Sequence, residues 1–233
     1  MNKILPSTDD NHHPLADQFR QFVRRTSFPC VGAKSALARN QMLFIVARTI
    51  TSAWDDMRIY PALFNFAKAY AAHPKLYQSF IVLFQGPRVL GERAFEHSMW
   101  ERIQSLTDKD EWLGQKHDRA VSPHPHDPRF SLSFGGQAFF VVGLHPNANR
   151  LARRFVVPAL VFNLHDQFEQ LRKTGAFDKL QSTIQKRDYI LAGSTNPMLQ
   201  KFGEGSEARQ YSGRMVDDDW HCPFHRKEIP DAA

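Results

Sequence analysis

Two apolar runs, residues 138–144 and 155–162, are the longest uninterrupted ones in the chain, and both are short. A membrane-spanning helix needs roughly 20 apolar residues, so neither run is long enough to cross a bilayer. Runs of this length are instead typical of elements buried in a globular core. The chain has 233 residues, 42% of them hydrophobic, and begins without an apolar signal segment. We therefore expect a cytoplasmic protein with no membrane contact.

The spacing of the apolar residues predicts one α+β domain, mostly helical, with a small antiparallel sheet. Helices are predicted to begin at Leu15 and to span residues 34–50, 62–72, 92–108, 158–173 and 175–189. Strands are predicted over residues 79–84, 130–134 and 135–144, the last two forming a hairpin that turns at Gly135 and Gly136. The polar residues 1–14 are expected to be disordered, residues 15–225 to form the domain, and residues 226–233 to form a tail.

The formal net charge of +6 permits nucleic-acid binding but does not require it. The basic residues are densest between residues 143 and 190, yet the chain contains no zinc-finger motif and no long basic run. We therefore expect no nucleic-acid partner. Arginines at this density suit a small anionic group, such as a carboxylate or phosphate, which they hold by paired hydrogen bonds.

Histidine and cysteine side chains are the candidate metal ligands. His124 and His126 lie in the proline-rich segment SPHPHDP, where an exposed loop is the alternative to a metal site. Cys30, in SFPCVGAKSAL, and Cys222, in WHCPF, are too few to form a disulfide framework. A thiolate is a known axial ligand of haem iron. Ordinary packing of a buried cysteine is the alternative for both residues.

The block 143–172, GLHPNANRLARRFVVPALVFNLHDQFEQLR, combines imidazoles, arginines and apolar residues. His145 follows the predicted strand, and His165 lies on the predicted helix that begins at residue 158. The arginines between the two histidines are Arg150, Arg153 and Arg154. This combination suits a haem site, because histidine can ligate the iron and arginine can pair with the propionates. A hydrogen-bonded core histidine remains the alternative for either imidazole.

Three segments of the chain resemble the YqcI/YcgG family. They are SFPCVGAKSAL, FFVVGLHPNANRLARRFVVPALVFNLHDQFEQLR and NPMLQKFGEGSEARQYSGRMVDDDWHCPF, which together span most of the chain from about Phe19 to Phe224. The resemblance implies a haem-dependent N-oxygenase, that is, a biosynthetic monooxygenase or N-hydroxylase. Its substrate would be a small molecule whose guanidine, amine or 2-aminoimidazole nitrogen is oxidised to an N-hydroxy or nitro product.

The resemblance also implies roles for individual residues. His145 is the first candidate for the axial iron ligand and His165 the second, with Cys30 and Cys222 left open. The candidate catalytic residues are Asn163, Gln167 and Glu169. The candidate cofactor-binding residues are Arg150, Arg153, Arg154, Arg209, Tyr211 and Arg214. Glu169 has a carboxylate that matches a guanidinium group, and an exposed helix carboxylate is the alternative reading of this residue.

Haem b, iron protoporphyrin, is therefore the expected cofactor. The expected partners are a small cationic substrate that contains nitrogen, O2 or peroxide, and an external electron donor, since no flavin or nicotinamide motif is visible. The oligomeric state stays open, a homodimer included. The alternative function is a haem-binding sensor or carrier without turnover, and a basic binding module without haem is a further alternative.

Overall fold

A five-stranded mixed β-sheet lies at the centre of the computed structural model, which describes residues 8–198 and 202–226. The strands are β1 (Met42–Thr49), β2 (Ser79–Gly86), β3 (Leu132–Phe134), β4 (Gln137–Leu144) and β5 (Ala159–Leu164). Their order across the sheet is β1-β2-β5-β4-β3. β1 and β2 run parallel, whereas the pairs β2–β5, β5–β4 and β4–β3 are antiparallel.

Helices cover both faces of this sheet. They are α1 (Thr8–Asn11), α2 (Pro14–Arg24), α3 (Val31–Ala38), α4 (Asp56–Ala72), α5 (Glu92–Trp112), α6 (His165–Lys173), α7 (Ala176–Ala192) and α8 (Ala208–Tyr211). Side chains alternate between the faces along each strand, so Phe80 and Val82 point to the first face and Ile81 and Leu83 to the second. The first face packs against α4, α5 and α8, and the second packs against α2 and α3.

The prediction of one α+β domain is confirmed. The predicted hairpin also forms, with β3 and β4 joined at Gly135 and Gly136, whose φ angles are 59° and 78°. Positive φ at both central residues is what a two-residue hairpin turn requires, and glycine reaches it without strain. The sheet differs from the prediction because its β1–β2 pair is parallel.

Two predicted helices are wrong because each contains a strand. Residues 34–50 hold the end of α3 and all of β1, separated by Asn40 at a φ of 53°. Asparagine in this conformation terminates helices. In residues 158–173, only His165–Lys173 is helical, and Ala159–Leu164 forms β5 between β2 and β4. Both strands are apolar on their two faces, so they lack the alternation that distinguishes a strand from a buried helix.

The ends of the predicted domain also need correction. Residues 8–14, predicted to be disordered, form α1 and the start of α2. Asn11 Oδ1 accepts a hydrogen bond of 3.1 Å from the backbone N–H of Phe44, at the edge of the sheet. Arg226, predicted to begin the tail, is buried and pairs with Asp110 at 3.2 Å. Residues 1–7 and 227–233 lie outside the described residues. Within the described part of the chain, no helix is long and apolar enough to cross a membrane.

Candidate functional site

A cavity of about 340 Å³ lies between the second face of the sheet and helices α3, α6 and α7. Its walls are mostly apolar. The sheet contributes Ile81, Phe140, Val142 and Val161, and the helices contribute Phe168, Leu171, Leu180 and Ile184. Largely apolar cavities of roughly 300–1,000 Å³ with a few polar groups are typical of ligand and cofactor sites.

Cys30 lines the cavity at the N-terminus of α3. Its Sγ accepts a hydrogen bond of 3.4 Å from the backbone N–H of Ala33. Burial raises the pKa of the Cys30 thiol, while the N–H groups of Ala33 and Gly32 and the positive charges of Arg153 and Lys34 act in the opposite direction. Helix N-termini and nearby cations favour a thiolate, and metal coordination deprotonates a thiol outright. The sulfur is therefore placed where it could bind a metal-bearing ligand.

Arg153 lines the cavity near Cys30. Its guanidinium donates to the backbone carbonyls of Gly143, Tyr211 and Gln210, at 3.0, 3.1 and 3.0 Å. Burial lowers the pKa of Arg153 to about 10, and none of the ion pairs among the described residues involves this side chain. Arg153 is half-buried, and the negative charge of Asp188 offsets only part of the effect of burial on its pKa. A cation whose hydrogen bonds all go to carbonyls can also accept an anionic ligand.

The other two predicted arginine anchors differ from Arg153. Arg150 lines the cavity, but it already pairs with Asp188 of α7 at 2.5 Å and donates to the carbonyl of Ser194 at 3.0 Å. Arg154 is not among the cavity residues, and its Nε donates to the carbonyl of Ala148 at 2.6 Å. Arg153 thus matches the predicted role best, since Arg150 is neutralised and Arg154 faces elsewhere.

Polar side chains of β2, β5 and α6 form a row at the end of the cavity away from Arg153. The strand register places Asn163 of β5 opposite both Ser79 of β2 and Phe140 of β4. Ser79 Oγ donates to Asn163 Oδ1 at 2.8 Å. Gln167, at the start of α6, donates to the carbonyl of Gln78 at 2.9 Å and accepts from its N–H at 2.7 Å. The structure thus brings together two of the three predicted catalytic residues, Asn163 and Gln167.

Glu207 also lines the cavity and is 6% exposed. Its Oε2 lies 3.4 Å from the Tyr211 hydroxyl. Burial raises the pKa of the Glu207 carboxyl to about 8, and contacts with Ser131, Tyr211 and Arg172 offset only part of this effect. A carboxyl that titrates near neutral pH inside a cavity is typical of functional sites.

His145 does not face the cavity. It follows β4, as predicted, but its ring stacks on Phe95 of α5 with 4.3 Å between the ring centroids, on the first face of the sheet. The residue is 1% exposed, and its Nδ1 has no hydrogen-bond partner among the described residues. Burial lowers the pKa of His145 to about 4. This geometry is that of a neutral core histidine.

His165 is the first residue of α6 and lies close to the cavity without lining it. Its ring contacts Phe202, a cavity residue, with 4.4 Å between the centroids. Its buried Nε2 has no hydrogen-bond partner among the described residues, and burial lowers the pKa of the imidazole.

The remaining predicted residues lie outside the cavity. Cys222 is buried on the first face, and Glu169 pairs with Arg172. Arg209 donates to the carbonyl of Asp217 at 2.8 Å, and Arg214 pairs with Glu96 at 2.5 Å. Tyr211 also packs on the first face. The described residues contain no group of three or more histidine, cysteine or acidic side chains able to hold a metal ion.

Sequence reasoning missed Ser79 and Asp188 as cavity residues. Ser79 precedes the apolar run of β2, and only the strand register brings it to Asn163. Asp188 lies on α7, and the sequence of this helix does not indicate which of its sides faces the cavity. Neither residue carries a local signal in the sequence.

The fold and the cavity define an α+β protein with a mostly apolar cavity whose lining includes a thiol, a cation and a carboxyl group. The profile of the YqcI/YcgG family matches residues 19–225. The chain belongs to the YqcI/YcgG family. Comparisons with curated proteins and with solved structures found no match.

Proposed function

We propose that this protein is a haem-dependent N-oxygenase that uses the cavity beside α3 and α7. The observation that carries the proposal is that the Cys30 sulfur and the Arg153 guanidinium line the same apolar cavity. Haem needs these three features together: a donor for the iron, a cationic partner for its propionates and apolar surfaces for the ring. The resemblance to haem-dependent N-oxygenases in the YqcI/YcgG family supports the same assignment.

Cys30 is the residue that we propose would bind the haem iron. It lines the cavity, whereas His145 and Cys222 lie on the first face of the sheet. His165 remains the second candidate because its Nε2 has no hydrogen-bond partner among the described residues and its ring contacts Phe202, a cavity residue. Bound there, haem would supply the activation of O2 or peroxide that amino-acid side chains cannot perform.

The chain itself would bind and orient the substrate. The apolar side chains of the sheet and of α7 exclude water, and the amides of Asn163 and Gln167 supply directional polar groups at the other end. One oxygen atom of O2 enters an N–H bond of the substrate and the other leaves as water, with two electrons and two protons from outside. With peroxide as the oxidant, no external electrons are required.

An absorption spectrum of the purified protein titrated with haem tests the cofactor. We expect a Soret band, and the ferrous–CO complex should absorb at the long wavelength that is characteristic of thiolate ligation. Cys30→Ser should abolish that signature, while Cys222→Ser, the matched control, should retain it. The absence of a Soret band in the wild-type protein would overturn the haem assignment, and an unchanged spectrum in Cys30→Ser would overturn the ligand.

Turnover distinguishes an oxygenase from a haem sensor or carrier. The haem-loaded protein should be incubated with O2 and a reductant, or with peroxide, and with a panel of guanidines, amines and 2-aminoimidazole. We expect mass spectrometry to detect a product that has gained one or more oxygen atoms. Haem binding with no product across the whole panel would favour the carrier.

A further inference from the structure

Among the residues that the structure describes, Glu207 forms no ion pair, although it lines the cavity. The positive charge of Arg172 acts on Glu207, but this arginine is paired with Glu169 on the same helix. The guanidinium of Arg172 also lies 4.3 Å from the centroid of the Phe177 ring. The Glu207 carboxyl therefore keeps the capacity to bind a cation, because Arg172 is already engaged.

Glu207 lines the same cavity as the amides of Asn163 and Gln167. The Tyr211 hydroxyl lies 3.4 Å from Glu207 Oε2 and 3.4 Å from the carbonyl oxygen of Phe139, the residue before Phe140. Phe140 in turn is opposite Asn163. The Cys30 and Arg153 end lies near Gly143, about 10 Å farther along β4, since a strand advances roughly 3.3 Å per residue.

We propose that Glu207 is the specificity-determining residue that binds the positively charged nitrogen group of the substrate. Glu169, the sequence-based candidate, is occupied by Arg172 and does not line the cavity. The assignment deepens the proposed function, on which only the subsequent oxidation depends, because cation binding itself needs no haem. A carboxylate accepts two parallel hydrogen bonds from a guanidinium, so guanidines and amidines are the preferred class.

Cation binding by Glu207 should release a proton. Four groups face this carboxyl: the Ser131 hydroxyl before β3, the Tyr211 hydroxyl on α8, and the charged Arg172 and Glu169 on α6. Because burial raises the pKa of Glu207 to about 8, the carboxyl is largely protonated at pH 7. A bound cation favours the ionised form, so its affinity should increase with pH until Glu207 is fully ionised.

The test is isothermal titration calorimetry of the haem-free protein with methylguanidinium, and with methylurea as the uncharged probe of similar shape. We expect the wild-type protein to prefer the cation. Glu207→Gln keeps the shape of the side chain but removes its charge, and should weaken methylguanidinium binding by roughly 10- to 100-fold. Glu101→Gln, the matched control at an exposed position of α5 outside the cavity, should change the affinity by no more than a few-fold. Glu207→Asp should fall between wild type and Glu207→Gln.

Folding of each variant is checked by thermal unfolding, and the titration is repeated at pH 7 and pH 9 in buffers of different ionisation enthalpy. Proton release and a pH-dependent affinity should be present in the wild-type protein and absent in Glu207→Gln. The proposal is overturned by a wild-type protein that does not bind methylguanidinium, or by full cation affinity in a folded Glu207→Gln variant. Because these readouts require no Soret band, they fail or succeed independently of the haem assignment.

Discussion

Gly143 of β4 packs closely against Phe95 of α5 and against Tyr211, in the segment that carries Glu207. A Cβ atom added at Gly143 would lie 2.8 Å from Phe95 Cε1 and 3.0 Å from Phe95 Cζ. It would also lie 3.0 Å from the backbone carbonyl oxygen of Tyr211. Arg153 donates to that same oxygen and to the carbonyl of Gly143. Gly143→Ala should therefore push the 206–212 segment away from the strand.

The expected cost follows from these distances. Phe95 is fully buried, so its ring cannot rotate into open space. The Tyr211 carbonyl is backbone and can move only together with its neighbours. An extra methyl group in a closely packed core typically costs about 1–3 kcal/mol. We expect a decrease of that size in the free energy of unfolding, together with weaker binding in the cavity as Glu207 shifts.

Urea denaturation monitored by circular dichroism measures this change, and the matched control is Gly91→Ala. A Cβ atom at Gly91 would meet no heavy atom within 4 Å, and its φ of −73° and ψ of 170° suit alanine. The control should stay within about 1 kcal/mol of wild type, the usual scale of a helix-cap change. Equal stability of Gly143→Ala and Gly91→Ala would refute the close packing inferred around Gly143.

Three further predictions concern buried ionisable groups. Arg102→Met should lower the free energy of unfolding, measured by urea titration, by about 3–5 kcal/mol, because the fully buried Asp56 carboxylate loses its partner at 2.7 Å. This loss of stability should be smaller at acidic pH, where Asp56 is protonated. The free energy of unfolding should decrease as the pH falls from 6.5 to 4, because His145 stays neutral in the folded protein, with a pKa of about 4, but takes up a proton when the chain unfolds. His145→Gln should flatten this pH profile, and an unchanged slope would contradict the neutral, buried state of His145. Arg150→Met should speed amide hydrogen exchange in α7, because it removes the 2.5 Å bond to Asp188, and exchange at the wild-type rate would show that this pair does not hold the helix.

The elements that could be predicted from sequence are those with a local signal. The turn at Gly135 and Gly136 follows from the glycine pair itself, and the apolar run of β2 is bounded by Gly86 and Pro87. β1 and β5 escaped prediction because strands buried on both faces show no alternation. Their assignment depends on partners that are distant in the sequence, such as Ser79 for Asn163.

In the candidate site, too, the sequence identifies individual residues, but only the fold shows which of them lie together. Cys30 and Arg153 were both identified from sequence, but only the fold shows that they share a cavity. His145 was the first candidate for the iron ligand and His165 the second, and both follow or occupy apolar stretches. They differ because His145 belongs to the face of the sheet that packs on α5, and the face is set by the register of β4. A one-residue change in register would exchange the two faces of a strand.

Arg153 lies near Cys30 and also hydrogen-bonds to the segment that carries Glu207. Its guanidinium lies near Cys30, yet two of its hydrogen bonds go to the carbonyls of Gln210 and Tyr211, about one helical turn from Glu207. An anion that drew Arg153 toward the cavity would therefore compete with the carbonyls that fix this segment against β4. Because the segment also carries Glu207, the group held near Cys30 and the cation held by Glu207 would influence each other's binding through one side chain. The coupling requires no motion of the sheet, since the 206–212 segment and Arg153 lie outside its strands.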